Sequence, residues 1–193
     1  MEQTNTIIAV VGLPGSGKSE VVRFMQNKGF FKIYFGAVTF DEIEKRGLET
    51  NEKNERMVRE ELRANLGMGA YAILNIEKIR NAFENGNVVI ESMYSWQEYQ
   101  ILKEEFKDNF SVIAVYASPA TRYDRIVRRK EIQNNKERLF NLEEVKSRDK
   151  AQIENLAIAG PIAIADFTII NETGMEDLYK QIDQLMEKLN VQK

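Results

Sequence analysis

Five short runs of aliphatic and β-branched residues recur along the chain, each followed by an amphipathic stretch, and this alternation limits the fold more than any other feature. The runs are "TIIAVVG" from Thr6, "KIYF" from Lys32, "NVVIES" from Asn87, "FSVIAVYAS" from Phe110 and "ADFTIIN" from Ala165. Runs this short and apolar suit strands buried on both faces of a parallel sheet. Helix starts are marked by four pairs with capping-box spacing: Thr39 with Glu42, Ser95 with Glu98, Asn141 with Glu144, and Thr173 with Glu176. Ser118 before Pro119 marks a fifth, because proline is tolerated at the first helical position. Strands alternating with helices imply parallel pairing and right-handed crossovers, hence a three-layer α/β domain. With 193 residues, 43% of them apolar, the chain can fill one core, and a single domain over residues 1–193 is expected.

Two intervals are too long for one crossover helix. Between the second and third runs lie three helical patterns, "TFDEIEKRG", "EKNERMVREELRANLG" and "AYAILNIEKIRNAFENG". An inserted helical subdomain explains them better than a loop of that length. The segment from Lys130 to Leu142 is polar, carries Lys130, Lys136 and Arg138, and has no apolar period, so it reads as a flap.

Composition removes several chemistries. The chain has neither cysteine nor histidine, which excludes a disulfide framework, a thiolate nucleophile, a Ser-His-Asp triad and the usual zinc ligand sets. A formal net charge of -3 gives no global positive field, so nucleic acid is not an expected partner. No signal-peptide pattern opens the chain and no apolar run approaches the ~20 residues that span a bilayer. A soluble, cytoplasmic protein without a membrane partner is expected.

The stretch "VVGLPGSGKSEVV" joins the first strand pattern to the first helical pattern and satisfies G-x-x-x-x-G-K-[ST] through Gly12, Leu13, Pro14, Gly15, Ser16, Gly17, Lys18 and Ser19. Each residue type has a reason. Glycines permit positive φ and close backbone approach, so successive N–H groups can point inward as an anion nest. The following helix adds its positive dipole end. Lys18 can reach β and γ phosphates, and the Ser19 hydroxyl can ligate Mg2+. A nucleotide site follows, but kinases, switches, motors and transport ATPases all carry such loops.

Other residues bear on the reaction. In "SPATRYDRIVRRKEIQNNKER", Arg122, Arg125 and Arg129 share one helical face, with Arg128 beside Arg125 and with Arg138 and Arg148 further on. Such a row can surround a transferring phosphoryl group, or can be a solvated face balanced by Asp124 and Glu131. Glu91 ends the third strand, where a topological switch point brings its carboxylate towards phosphate. There it can hold the Mg2+ water shell or accept a proton from an acceptor hydroxyl; the alternative is a helix cap. Tyr94 is placed to line the site, whereas Trp96 and Tyr99 read as core, and Met57, Met68 and Met93 as packing.

Together "VVGLPGSGKSEVV", "VVIESMYS", "VIAVYASPATRYDRIVRR", "SRDKAQIEN" and "GPIAIADFTIINETGMEDLYKQI" resemble, in order, the landmarks of small P-loop kinases. The likeness is nearest to the adenylate-kinase-related proteins common in archaea, with dephospho-CoA kinase and the adenylate and cytidylate kinases further off. The resemblance implies a five-stranded parallel sheet in the order 2-3-1-4-5, an acceptor-binding insertion at about 36–86 and a lid at about 130–142. It implies ATP on Gly12 to Ser19, Arg125 against the adenine, and Asn171 in the turn that borders the base. It makes Arg129 a phosphate contact beside the lid and Arg148 a lid-hinge arginine oriented by Asp149; with Lys18 and Glu91 as read above these form the catalytic set, and Ser19 and Glu91 the metal side. Arg63 becomes the candidate grip for an acceptor phosphate, beside Tyr94. Two departures stand out. Family members often carry D-G and then an arginine one residue on, after the third strand, where this chain has Glu91, Ser92, Met93 and Tyr94. A G-D pair after the second strand is Gly36 and Ala37 here. The implied activity is transfer of the γ-phosphoryl group of Mg-ATP to a small nucleotide-like acceptor. The competing reading is a nucleotide-dependent switch or NTPase whose insertion binds a protein; oligomeric state is left open.

Overall fold

The computed structural model describes residues 5–133 and 142–189, the side chains of residues 129–133 excepted. Five parallel strands form one sheet in the order β2-β3-β1-β4-β5, as expected: β1 Ile7–Val11, β2 Phe31–Tyr34, β3 Val88–Glu91, β4 Phe110–Tyr116 and β5 Phe167–Ile170. Central β1 is buried at all five positions, which is why its sequence is apolar throughout rather than alternating. Its side chains still divide by face with period two. Ile7, Ala9 and Val11 pack with Ile90, Ala72, Ile79 and Leu102 on one side of the sheet. Ile8 and Val10 pack with Val21, Val22, Met25, Leu178 and Ile182 on the other.

The first of these layers is built by the three helices of the long interval, α2 Ala37–Lys45, α3 Glu52–Leu66 and α4 Ala70–Asn85, together with α5 Trp96–Phe106. The second is built by α1 Lys18–Asn27 and the last helix, α9 Met175–Lys188. Between β4 and β5 run α6 Pro119–Gln133, α7 Leu142–Leu156 and the short α8 Ala159–Ala163. Most of the expected flap lies outside the described residues.

The start signals divide into those the structure uses and those it overrides. Ser95 and Glu98 form a complete capping box, and Ser118 precedes α6 with its hydroxyl accepting from the Thr121 N–H at 3.4 Å. Thr39 is not a cap: α2 begins two residues earlier after Gly36, and the buried Thr39 hydroxyl instead shares a 2.7 Å hydrogen bond with the Tyr71 hydroxyl. Thr173 is displaced by Gly174 and donates to Asp177 Oδ2 at 2.7 Å. Asn141 lies outside the described residues. The cap of α3, Asn51, accepts from the Asn54 N–H at 3.0 Å. Met93 is buried, as read, but Met57 is exposed rather than packed, and Trp96 and Tyr99, which stack at 5.1 Å, are half-buried, Tyr99 at the edge of the core. No helix among the described residues is long and apolar enough to cross a membrane.

Candidate functional site

The loop from Gly12 to Gly17 leaves the central strand and turns into α1 at Lys18. Its glycines are required by geometry, Gly15 and Gly17 most clearly by their φ. Gly15 has φ 80°, and a Cβ there would sit 2.6 Å from the Arg122 carbonyl oxygen. Gly17 has φ 103°, and a Cβ would collide with the Asn171 amide nitrogen. Both conformations lie in the left-handed region that only glycine adopts cheaply. Ser16 N–H donates to the Leu13 carbonyl at 3.2 Å, while the buried Ser16 hydroxyl has no partner.

Lys18 folds back over the loop and donates to the Leu13 carbonyl at 3.1 Å. Burial lowers its pKa to about 8; Glu91 opposes this, while the positive charges of Arg122 and Arg148 add to it. A cationic nest whose lysine is held against its own desolvation, and a buried hydroxyl without a partner, fit a polyphosphate. Ser19 Oγ donates to Glu91 Oε1 at 2.9 Å. A hydroxyl oxygen with a carboxylate one hydrogen bond away is hard-oxygen chemistry that suits Mg2+, with phosphate oxygens and water completing the shell.

Three elements brace this loop. Arg122, 3% exposed, donates to the Pro14 carbonyl at 2.9 Å and the Ala117 carbonyl at 3.2 Å, and its fork meets Asp149 at 3.0 and 2.5 Å. Tyr123 adds a 3.1 Å bond to the same carboxylate. Asp149 thus holds Arg122 and Tyr123, and one part of the sequence reading is corrected: Arg122 is a buried strut, not part of an open row. Arg128 pairs with Asp124 at 2.8 Å on the solvent side, the balanced face that was the alternative. Asn171, 5% exposed, donates to the Ser16 carbonyl at 2.8 Å and accepts from Arg125 Nη2 at 3.3 Å. Arg125 keeps Nη1 buried without a partner. Arg148 is exposed on α7, near enough for its charge to act on Lys18. The Arg129 side chain lies outside the described residues.

On the other side of Glu91 lie groups from β2 and from the helical insertion. Lys32 from β2 reaches Glu91 Oε2 at 2.6 Å. The Tyr34 hydroxyl is held above its ordinary pKa by burial first, then by Tyr94, Glu91, Glu55 and Tyr71, so these groups lie within electrostatic range of it. Tyr94 donates its N–H to Glu98 Oε2 at 2.7 Å and its hydroxyl to Ser92 Oγ at 3.4 Å. Arg63 lies 5.1 Å over the Tyr71 ring with its Nε buried and unpartnered. Burial also raises the Glu98 carboxyl, against the N–H donors of Ser95 and Tyr94 and the charge of Arg63. Sequence reasoning missed Lys32, Tyr34, Tyr71 and the Arg122–Asp149 pair. Lys32 was the findable one, a lone charge inside an otherwise apolar strand pattern.

Sheet order, glycine loop and inserted helices define a P-loop domain of kinase-like fold. A family model described as an AAA domain matches residues 8–151. The chain belongs to the UPF0200 family, being 32% identical over 189 residues to the UPF0200 protein of Thermococcus sibiricus, with 97% of each chain covered. Among solved structures it is similar to TT1252 from Thermus thermophilus, with a TM-score of 0.66 and 19% identity over 97% of this chain and 99% of that one. It is also similar to a shikimate kinase from Acinetobacter baumannii solved in complex with shikimate, with a TM-score of 0.60 and 18% identity over 98% and 97%.

Proposed function

We propose that the protein is an ATP-dependent phosphotransferase that moves the γ-phosphoryl group of Mg-ATP to a small nucleotide-like acceptor, of the nucleoside monophosphate or dephospho-CoA type. The observation that carries the reading is the Glu91 carboxylate, whose Oε1 accepts from the Ser19 hydroxyl at 2.9 Å on one side while its Oε2 pairs with Lys32 at 2.6 Å on the side of Tyr34 and Tyr94. A carboxylate so placed borders both the triphosphate end of the loop and the space an acceptor would enter. The kinase-like fold supports nucleotide-dependent phosphotransfer in general; the acceptor class is inferred from the site.

In this reading Gly12 to Ser19 hold the β and γ phosphates, with Arg125 and Asn171 at the base end. Bound Mg2+ supplies charge neutralisation on the phosphoryl oxygens. For a hydroxyl acceptor Glu91 takes the proton, whereas a monophosphate acceptor attacks through an anionic phosphate oxygen that has no proton to lose; in either case the attacking oxygen bonds to the γ phosphorus as the bond from phosphorus to the β,γ-bridging oxygen breaks and ADP leaves. Lys18, Arg148 and Arg129 stabilise the charge that spreads over the transferring group. The inserted helices between residues 36 and 86 form the acceptor side, Arg63 grips its anionic end, and the segment at about 130–142 serves as lid. A second reading, a nucleotide-dependent switch with a protein partner, draws support from Phe40, Met57, Leu66, Ile73 and Leu74, apolar residues exposed on the insertion.

The test is ADP formation from Mg-ATP with and without nucleoside monophosphates, nucleosides and dephospho-CoA, with Lys18→Ala as blank. Acceptor-dependent turnover lost in Lys18→Ala is the expected result. An identical slow background with every acceptor would favour the switch.

A further inference from the structure

Glu91 is held from both sides. Its Oε1 accepts from Ser19 Oγ at 2.9 Å, and its Oε2 meets Lys32 Nζ at 2.6 Å. The three residues come from α1, β3 and β2, so a single carboxylate ties the loop to the edge strand of the sheet. Lys32 is not a casual surface partner. In the β2–β3 register it lies opposite Val89, and Tyr34 lies opposite Glu91. To reach Glu91 the lysine must run forward along the strand, past the Tyr34 ring, whose centroid is 5.8 Å from the ammonium. Lys32 and Tyr34 share a strand face, so the ring gives the stem a side to lie along. The Glu91 side chain is 15% exposed and that of Lys32 33%, which leaves the pair less screened than an open surface contact. The residues that follow Glu91, Ser92 to Ser95, supply no cation.

We propose that Lys32 is a positioning residue for the Mg2+ shell of the nucleotide site, acting through Glu91, whose carboxylate it holds towards Ser19. A carboxylate fixed at both oxygens presents a lone pair in one direction, where a metal-bound water can donate to it; partners that orient such groups commonly carry tenfold or more of metal affinity. The proposal rests on the reading of the loop as a Mg-ATP site. Two roles for Lys32 predict opposite signs. If Lys32 acts only as a positive charge beside the metal, its removal tightens Mg2+ binding by relieving like-charge repulsion. If it aims Glu91, its removal weakens Mg2+ binding.

The experiment measures equilibrium affinity of the full chain for ATP in excess chelator and in saturating Mg2+, and takes the ratio. In Lys32→Met the gain from Mg2+ should fall about tenfold relative to the unaltered chain, and Lys32→Arg should recover it to within about threefold. Glu91→Gln should lower the gain by a similar factor, and the double variant should fall no further, since both act at one carboxylate. A gain that is unchanged or increased in Lys32→Met, or losses that add in the double variant, overturns the role of Lys32. That outcome is distinct from failure of the site itself: nucleotide binding that Lys18→Met does not weaken, or no ATP binding by the unaltered chain, overturns both readings. Lys32 sits on an edge strand with its side chain 33% exposed, so each variant should keep the fold, and thermal melts of each variant check this.

Discussion

Replacing Lys18 by methionine should stabilise the ligand-free protein while removing its response to nucleotide. Burial lowers the lysine from its ordinary 10.5 to about 8. At 1.36 kcal/mol per pH unit, keeping this ammonium charged in the folded chain costs about 3 kcal/mol at any pH below 8. Between pH 8 and 10.5 the unfolded chain binds more protons than the folded one, so stability from this group rises with pH through that window. Methionine has a similar length and no charge to desolvate. At pH 7 the variant should melt higher by roughly 6 to 12 °C, given the 2–4 °C per kcal/mol typical of domains this size. The difference should shrink as pH approaches 10. The assay is thermal unfolding of both proteins from pH 7 to 10, without and with Mg-ATP. A variant no more stable than its parent at pH 7, or an advantage that persists undiminished at pH 10, would show that Lys18 is not held against its desolvation. The same group makes nucleotide affinity pH-dependent: a polyphosphate needs the ammonium charged, so binding above pH 8 should take up close to one proton, seen as a buffer-dependent enthalpy in calorimetry.

Three further outcomes follow from the geometry. Ser92 has φ 72°, a left-handed conformation for a residue with a Cβ; Ser92→Gly should raise unfolding free energy by about 1 kcal/mol in urea titration. Asp149→Ala leaves the Arg122 guanidinium buried without its carboxylate and should cost about 3–5 kcal/mol, whereas an exposed control, Asp124→Ala beside Arg128, should change stability by less than about 1 kcal/mol. Arg129→Ala should lower turnover more than ATP affinity, because its contact is assigned to the transition state; an unchanged rate with weakened binding would make it a ground-state contact instead.

Much of this was legible in the sequence. The strand runs are apolar because β1 and β3 are buried between two helical layers, and the helices of the 36–86 interval were visible as three separate periods. The glycine loop could be read because each residue type in it answers a local demand of backbone or anion. Side-chain pairing across elements was harder to read. Nothing in sequence spacing says that Asp149 reaches back 27 residues to Arg122, or that the side chain of Asn171 supports the loop at Ser16. Thr39 and Thr173 matched the capping pattern, yet Gly36 and Gly174 begin those helices. The surroundings of Glu91 on the insertion side were the least legible part: Tyr34, Tyr71 and Arg63 come from β2, α4 and α3, and only tertiary packing relates them. The departures noted after β3 gain a physical sense from the structure. Ser92 occupies the left-handed position a glycine would favour, and Lys32, from the neighbouring strand, supplies a cation at Glu91 where the following residues supply none.

The central claim is transfer of a phosphoryl group to an acceptor rather than to water, and the most direct measurement is the fate of that group. Mg-ATP incubated with the protein and each acceptor, followed by 31P NMR and mass spectrometry, should give ADP and one phosphorylated acceptor in equal amounts, with inorganic phosphate a minor product. ADP accompanied only by inorganic phosphate, at a rate no acceptor changes, would contradict the account.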